Sequence, residues 1–385
     1  MDRIAVVGAS GFIGSTLVEY LLESEKIEVV PIIHSTGNAW RLARHGVDLQ
    51  TLDVVDASQV RMAIQGCTHV VNCVLTKNRT TSRSGLKNLL RASKDAGVHR
   101  FVHMSTVAMY EQQPYDQILT EESPYRRRLS GYAQRKLDED RLVRAAHRDG
   151  LSCVLIAPPR ITGAYSKFLM RTVDAMRSGA LALIEGGSLP CSLVDVHDVA
   201  RAIVLALRTE NADGSRIFIT NDEANTWKDL VESMSAFTEG APAPTSFSHS
   251  EAAEFVGKSR RGTPVQSLRV LLRLLASPMS RKILRADPWL LMVYNKLIDR
   301  RVPFIEDRLR RLKARSSPPS PTASLPYGQW LGLQLMSQRY SCDKAKRLLS
   351  YEPRYGLSHS IQVFGSWFRA TTGWGGGDWP LARQL

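Results

Sequence analysis

The stretch Ala5-Val6-Val7-Gly8-Ala9-Ser10-Gly11-Phe12-Ile13-Gly14 constrains this chain more than any other, because an apolar run leads into three glycines at three-residue spacing and then into helical periodicity. Ile4 to Val7 read as a buried strand, and Leu17, Val18, Leu21 and Leu22 recur at the spacing of one helix face. A strand, a tight turn and a helix in that order form a nucleotide cradle. Gly8 can take a positive φ, Gly11 lets the backbone approach a pyrophosphate, and Gly14 lets the helix close onto the strand. Ser10, Phe12 and Ile13 complete the turn, and the free N–H groups of the new helix face the phosphates. The bland alternative is an ordinary strand-to-helix turn, and the context on both sides of the glycines tells against it.

Apolar runs at Val29 to Ile33, Val47 to Leu52, His69 to Val74, Phe101 to Met104 and Cys153 to Ile156 alternate with helical patterns near 38–45, 58–65, 84–96 and 131–148. Such alternation predicts an α/β fold, a Rossmann-type doubly wound parallel sheet covered on both faces. Past Pro158 the pattern loosens into helices near 166–178 and 197–208, strands near 192–196 and 216–220, and a helix from Thr226. The expected organisation is a dinucleotide-binding domain over 1–165, a smaller substrate-binding region over 166–257 and 327–385, and a basic helical insertion with a Pro/Ser-rich linker over 258–326.

The 385 residues are 43% hydrophobic and 23% charged, which argues for a folded globular chain over disorder. Five scattered cysteines without C-x-x-C spacing suggest neither a disulfide framework nor a metal site. With no leader-like segment and no long apolar run, a cytoplasmic protein is expected. The net charge is +14, and it is local: the segment from Lys258 to Arg315 holds sixteen Lys/Arg against four Asp/Glu, a surplus near +12.

Tyr132-Ala-Gln-Arg-Lys136 places a phenol and an ammonium at i and i+4 on one helix face. A nearby cation favours the phenolate, so such a pair can exchange a proton near neutrality. The spacing alone also fits a surface Tyr and Lys. Its position decides: the pair follows the glycine turn and a strand ending in Met104-Ser105-Thr106, whose hydroxyls fall at the carboxyl edge of the sheet, where ligands bind in such folds.

With these elements in order, the chain resembles the extended short-chain dehydrogenase/reductase family, the NAD-dependent epimerase/dehydratase group. Leu52-Asp53-Val54-Val55-Asp56, Gly97-Val98-His99-Arg100-Phe101-Val102, Val196-His197-Asp198-Val199-Ala200 and the run from Asp343 to Pro353 are similar to stretches of that family. The resemblance implies that Thr106 holds the substrate oxygen, that Tyr132 is the acid/base, and that Lys136 tunes it and binds the cofactor ribose. It further implies that Asp53 and Val54 face the adenine, Val74 lines the nicotinamide end, and Pro158 marks where the chain leaves the sheet. His34 ends the second strand where NAD-binding members carry an acidic residue. With none in Ile33-His34-Ser35-Thr36, the cofactor is NAD or NADP with a lean to NADP, and Arg41 and Arg44 could either reach a 2′-phosphate or form a solvated face.

The resemblance implies hydride transfer at a secondary alcohol or ketone carbon, with a nucleotide-linked sugar as the first expectation for the substrate. An apolar alcohol, sterol-like or lipid-linked, is the alternative, because Cys191 stands where many nucleotide-sugar enzymes have an arginine. Arg160, Lys167, Arg171, Arg260 or Arg261 could replace it. A non-catalytic cofactor-binding regulator is the reading from another class, and the intact Thr/Tyr/Lys set speaks against it. Nucleic acid is not an expected partner; a homodimer is left open.

The basic segment 258–315 carries leucines, Trp289 and Tyr294 between its arginines, which fits a peripheral membrane element, a cap over the substrate pocket, or a packed insertion with solvated charges. Membrane attachment predicts co-sedimentation with anionic vesicles at low salt, weakened by high salt and absent with neutral vesicles. No pelleting with anionic vesicles leaves the packed insertion.

Overall fold

The computed structural model describes residues 1–23, 27–76, 78–110, 114–127, 129, 131–260 and 327–372. Most of the chain past Lys258 assigned to the basic insertion, and the end of the chain from 373, therefore lie outside the described residues. Strands among them are β1 Asp2–Val7, β2 Ile27–Ile33, β3 Gln50–Thr51, β4 His69–Asn72, β5 Arg100–Met104, β6 Ile118–Leu119, β7 Cys153–Ala157, β8 Arg160–Thr162, β9 Ala182–Ile184, β10 Leu193–Asp195, β11 Arg216–Phe218, β12 Thr245–Phe247 and β13 Arg339–Tyr340. Helices are α1 Phe12–Leu22, α2 Trp40–Ala43, α3 Ala57–Ile64, α4 Arg79–Asp95, α5 Gly131–Arg148, α6 Lys167–Arg177, α7 Val196–Arg208, α8 Trp227–Ser233, α9 His249–Arg260, α10 Tyr327–Leu335, α11 Asp343–Leu349 and α12 Leu357–Thr372.

Seven strands pair in the order β3-β2-β1-β4-β5-β7-β11, all parallel. The order reverses between β1 and β4, the switch point at whose carboxyl ends a ligand crevice opens. Central strands are apolar on both faces, as helices on either side require: Ala5, Val6, Val70, Val71, Phe101 and Val102 are fully buried. One face packs on α1 and α7, the other on α3, α4 and α5.

Two expectations needed correcting. The helix expected over 38–45 shrinks to a 3₁₀ turn at Thr36–Asn38 and the single turn α2, since Ser35, Gly37 and Asn38 are turn formers. Strand pairing at Val47–Leu52 is confined to Gln50–Thr51, an edge with β2 as its one partner. From beyond the expected boundary at 165, β11 supplies the sheet's seventh strand and α7 packs on the sheet. Cys342, Ala345, Leu349 and Tyr351 then finish the core of that face, with the Tyr351 hydroxyl donating to Thr220 O at 2.9 Å. A second core is built from α6, β9, α8, α10 and α12 around Trp227, Trp330 and Phe364.

The turn after β1 shows why its glycines are there. Gly8 has φ +85°, and a Cβ on Gly14 would lie 2.3 Å from Gly8 O, a backbone atom that cannot yield. Gly14→Ala is therefore expected to cost about 1–3 kcal/mol by forcing α1 off β1. A drop of several degrees in melting temperature, together with weaker dinucleotide binding, is the outcome to look for; an unchanged melting temperature would refute the close packing.

Candidate functional site

Construction of the site begins at α1. Its N-cap, Gly11, is extended and offers no side-chain cap. By contrast, α3, α4, α6, α7 and α8 are capped by Asp56, Asn78, Ser166, Asp195 and Thr226. The first N–H groups of α1 thus lack the intramolecular acceptor those helices have, and the glycines keep side chains away from them, which fits a pyrophosphate. Gly8 N and Ala9 N both donate to Ile32 O, fixing the turn between β1 and β2.

Around this turn the residues expected to hold a dinucleotide are placed as follows. Ser10, Phe12 and Ile13 are half-buried, and His34 is exposed at the end of β2. Exposed Asp53 accepts from Val55 N at 3.0 Å. Val54 packs directly on α4, since a Cβ on Gly85 would meet it at 2.6 Å. Val54 and Val74 line one crevice together with Asn72, Ser82 and Glu139. Pro158 is buried where the chain leaves β7, and its carbonyl accepts from Val107 N at 3.4 Å.

Arg41 does not take the place expected for it. It is 8% exposed, its guanidinium reaches Glu19 and donates to Thr16 Oγ1 at 2.9 Å, and it lies over the Tyr165 ring at 4.3 Å. A buried guanidinium is worth most against a carboxylate, and Glu19 on α1 supplies one. Arg44 pairs with the same carboxylate at 2.9 Å but is itself 58% exposed.

Thr106 follows β5 and is buried, with its Oγ1 accepting from Ala108 N at 3.2 Å. Lys136, on the buried face of α5, donates from Nζ to Met104 O at 2.9 Å, which seats the helix against the end of the strand that carries Thr106. Tyr132 is one turn earlier on α5 and 42% exposed, with the Arg135 guanidinium 5.6 Å from its ring centre. Ser105 donates to Asp140 Oδ2 at 3.0 Å and accepts from Arg216 Nη2 at 2.7 Å; Arg216, 1% exposed, pairs with Asp140.

Sequence reasoning missed the buried groups behind Lys136. Lys136 Nζ lies 2.7 Å from Glu139 Oε2, His103 Nε2 lies 3.3 Å from the same oxygen, and Ser82 donates to Glu139 Oε1. Burial works to raise the Glu139 carboxyl, but the His103 hydrogen bond and the Lys136 charge outweigh it and hold the group at about 2. Burial lowers the His103 imidazole, with Glu139 opposing. It also pushes the Cys73 thiol up to about 12. The available signal was spacing: carboxylates three and four residues after Lys136 must point inward with it.

The sequence model of the NAD-dependent epimerase/dehydratase family matches residues 4–219. This chain belongs to that family. A 4-hydroxy-2-methyl-3-oxo-4-farnesyl-3,4-dihydroquinoline-1-oxide ketoreductase from Stigmatella aurantiaca is 27% identical over 301 residues, spanning 74% of this chain and 89% of the relative. A putative dihydroflavonol 4-reductase from Synechocystis is 26% identical over 63% of this chain and 74% of its own length. Among solved structures, a UDP-glucuronic acid 4-epimerase from Bacillus cereus in complex with NAD aligns with a TM-score of 0.65 at 16% identity, covering 96% of this chain and 99% of that one. That likeness shows the shared fold. The protein is thus an NAD-dependent family enzyme on a Rossmann sheet, and among the described residues no helix is long and apolar enough to cross a membrane.

The carboxylate behind Lys136 carries a pH consequence. Glu139 ionises near 4.5 when unfolded and near 2 when folded, so the unfolded chain binds the proton first on acidification. Its stabilisation is complete above about pH 4.5 and disappears as the pH falls towards 2. Denaturant titrations across that window are expected to show a steep loss in the wild type and a shallower one in Glu139→Gln; parallel curves would refute the pairing.

Proposed function

We propose that this protein catalyses NAD(P)-dependent hydride transfer at a ketone or secondary alcohol carbon of a largely apolar substrate. The observation that carries the reading is the Lys136 bond to Met104 O, which holds the Tyr132/Lys136 helix against the strand end bearing Thr106. When bound, the nicotinamide supplies or accepts the hydride at the carbon. In the reductive direction Thr106 Oγ holds the carbonyl oxygen and Tyr132 delivers the proton to it, giving the alcohol; oxidation reverses both. Lys136, one helical turn after Tyr132, offers an N–H to the cofactor ribose.

Fit to the dinucleotide rests on the uncapped α1 and the glycine cradle. Without an acidic side chain from Ile33 to Thr36, nothing there repels a 2′-phosphate, which favours NADP(H). With Arg41 held by Glu19, that preference rests on the missing carboxylate and not on a dedicated cation.

The substrate class departs from the nucleotide sugar first expected. Cys191 is fully buried among Leu189, Leu193 and Trp227 and presents no group to a diphosphate. Arg160 is committed as well: it donates to Leu333 O at 3.0 Å and Ser337 Oγ at 3.2 Å and stacks on Trp227 at 4.7 Å. The two sequence relatives named above bear the names of reductases acting on a farnesylated quinolone and on a dihydroflavonol, which supports the same direction. Arg171 is exposed on α6, and the Arg260 and Arg261 side chains lie outside the described residues.

A panel of apolar ketones and nucleotide-linked sugars, each with NADPH and NADH, tests the reading. Turnover of a ketone with NADPH at least as effective as NADH is expected, and turnover of a nucleotide sugar alone would overturn the substrate class. Tyr132→Phe should lower turnover by at least ~10²-fold with dinucleotide affinity near normal. Unchanged turnover would remove Tyr132 from its role.

A further inference from the structure

Glu139 is a buried carboxylate that the reaction above does not use. It is 5% exposed, and three elements converge on it: Ser82 from α4, His103 from β5 and Lys136 from its own helix. Behind His103 stands Asn72, at the end of β4, with Nδ2 3.1 Å from His103 Nδ1 and Oδ1 accepting from Val74 N at 3.1 Å. This order sets the tautomer. Because the Asn72 oxygen takes the Val74 N–H, its amide group donates to Nδ1, and the imidazole proton sits on Nε2 facing Glu139. The imidazole is then neutral, and the Glu139 and Lys136 charges balance.

Lysine carries three N–H donors on a flexible four-carbon stem, and nothing intrinsic to the side chain fixes where they aim. Here Met104 O takes one and Glu139 faces a second. The geometry points to Glu139 as a positioning residue: braced by Ser82 and His103, its carboxylate holds the Lys136 ammonium so that the remaining N–H is presented to the dinucleotide. Asn72 extends the brace to the strand end whose Val74 lines the same crevice. This inference rests on the reading of Lys136 as the ribose-binding partner of Tyr132. The alternative is an ion pair that only helps α5 pack.

A double-substitution cycle separates the two. Turnover, KM and dinucleotide affinity are measured for the wild type, Glu139→Gln, Lys136→Met and the double variant, with melting temperatures to confirm folding. Misplacing Lys136 should lower turnover in Glu139→Gln by roughly 10- to 100-fold with little change in the carbonyl KM. In the Lys136→Met background the same change should cost nothing further. Equal losses in both backgrounds would overturn the positioning role, as would full activity in Glu139→Gln. If Glu139→Gln does not fold, Glu139→Asp keeps the charge and withdraws the carboxylate by one methylene; a turnover loss that vanishes without Lys136 is again expected, and one that persists is again fatal. Titration with NADPH and NADH runs the same cycle without a substrate. A wild type that binds dinucleotide but turns over no carbonyl defeats the proposed function, while coupled losses of affinity at Glu139 and Lys136 still support the positioning role and additive ones overturn it.

Discussion

Two consecutive carboxylates on α5, Glu139 and Asp140, tie that helix to the sheet. Successive helical residues point about 100° apart, so Glu139 and Asp140 straddle the end of β5 from opposite sides. Glu139 reaches His103, Ser82 and Lys136, while Asp140 reaches Ser105 and Arg216. Removing such charges from water is costly unless each is paired, and each has a cation partner and one serine hydrogen bond. The position of Lys136, and through it the orientation of the turn carrying Tyr132, depends on this double anchorage.

The other half of the site is made of backbone. The turn between β1 and α1 works because side chains are missing: Gly14 allows helix and strand to touch, and Gly11 leaves the helix start without a cap. A cradle defined by absent atoms leaves room for phosphates, and a lattice of buried charges holds the helix of Tyr132 and Lys136. The two meet at the carboxyl edge, on either side of the strand-order reversal between β1 and β4.

Much of this was legible in the sequence, because the signals are periodic or local. The glycine spacing, the apolar strands and the Tyr132/Lys136 spacing each reflect geometry within a few residues, and the strand-helix alternation led to the parallel sheet. What was hidden depends on distant partners. Arg41 looked like a phosphate ligand because Glu19, on another helix, could not be seen to claim it. His103 read as one more residue of an apolar strand, and Arg216 as the start of another, until the fold brought them to Glu139 and Asp140. That β11 would pair with β7 was hidden for the same reason: parallel pairing leaves no local mark of which strand will lie beside which.

That late-arriving strand has a consequence for how the chain is made. Strands β1 to β7 are complete at Ala157, yet the α1/α7 face of their sheet is closed only when Cys342, Ala345, Leu349 and Tyr351 dock. At a synthesis rate of about 5–20 residues per second, the interval between those points is roughly 10–40 s. Until β11 at Arg216–Phe218 is made, early in that interval, the edge of β7 lacks its partner strand and is open to wrong pairing, and for the rest of it part of the apolar face lacks the cover of the later residues. The glycine turn and α5 are made long before the residues that complete the α1/α7 face, so correct folding depends on what shields that face meanwhile.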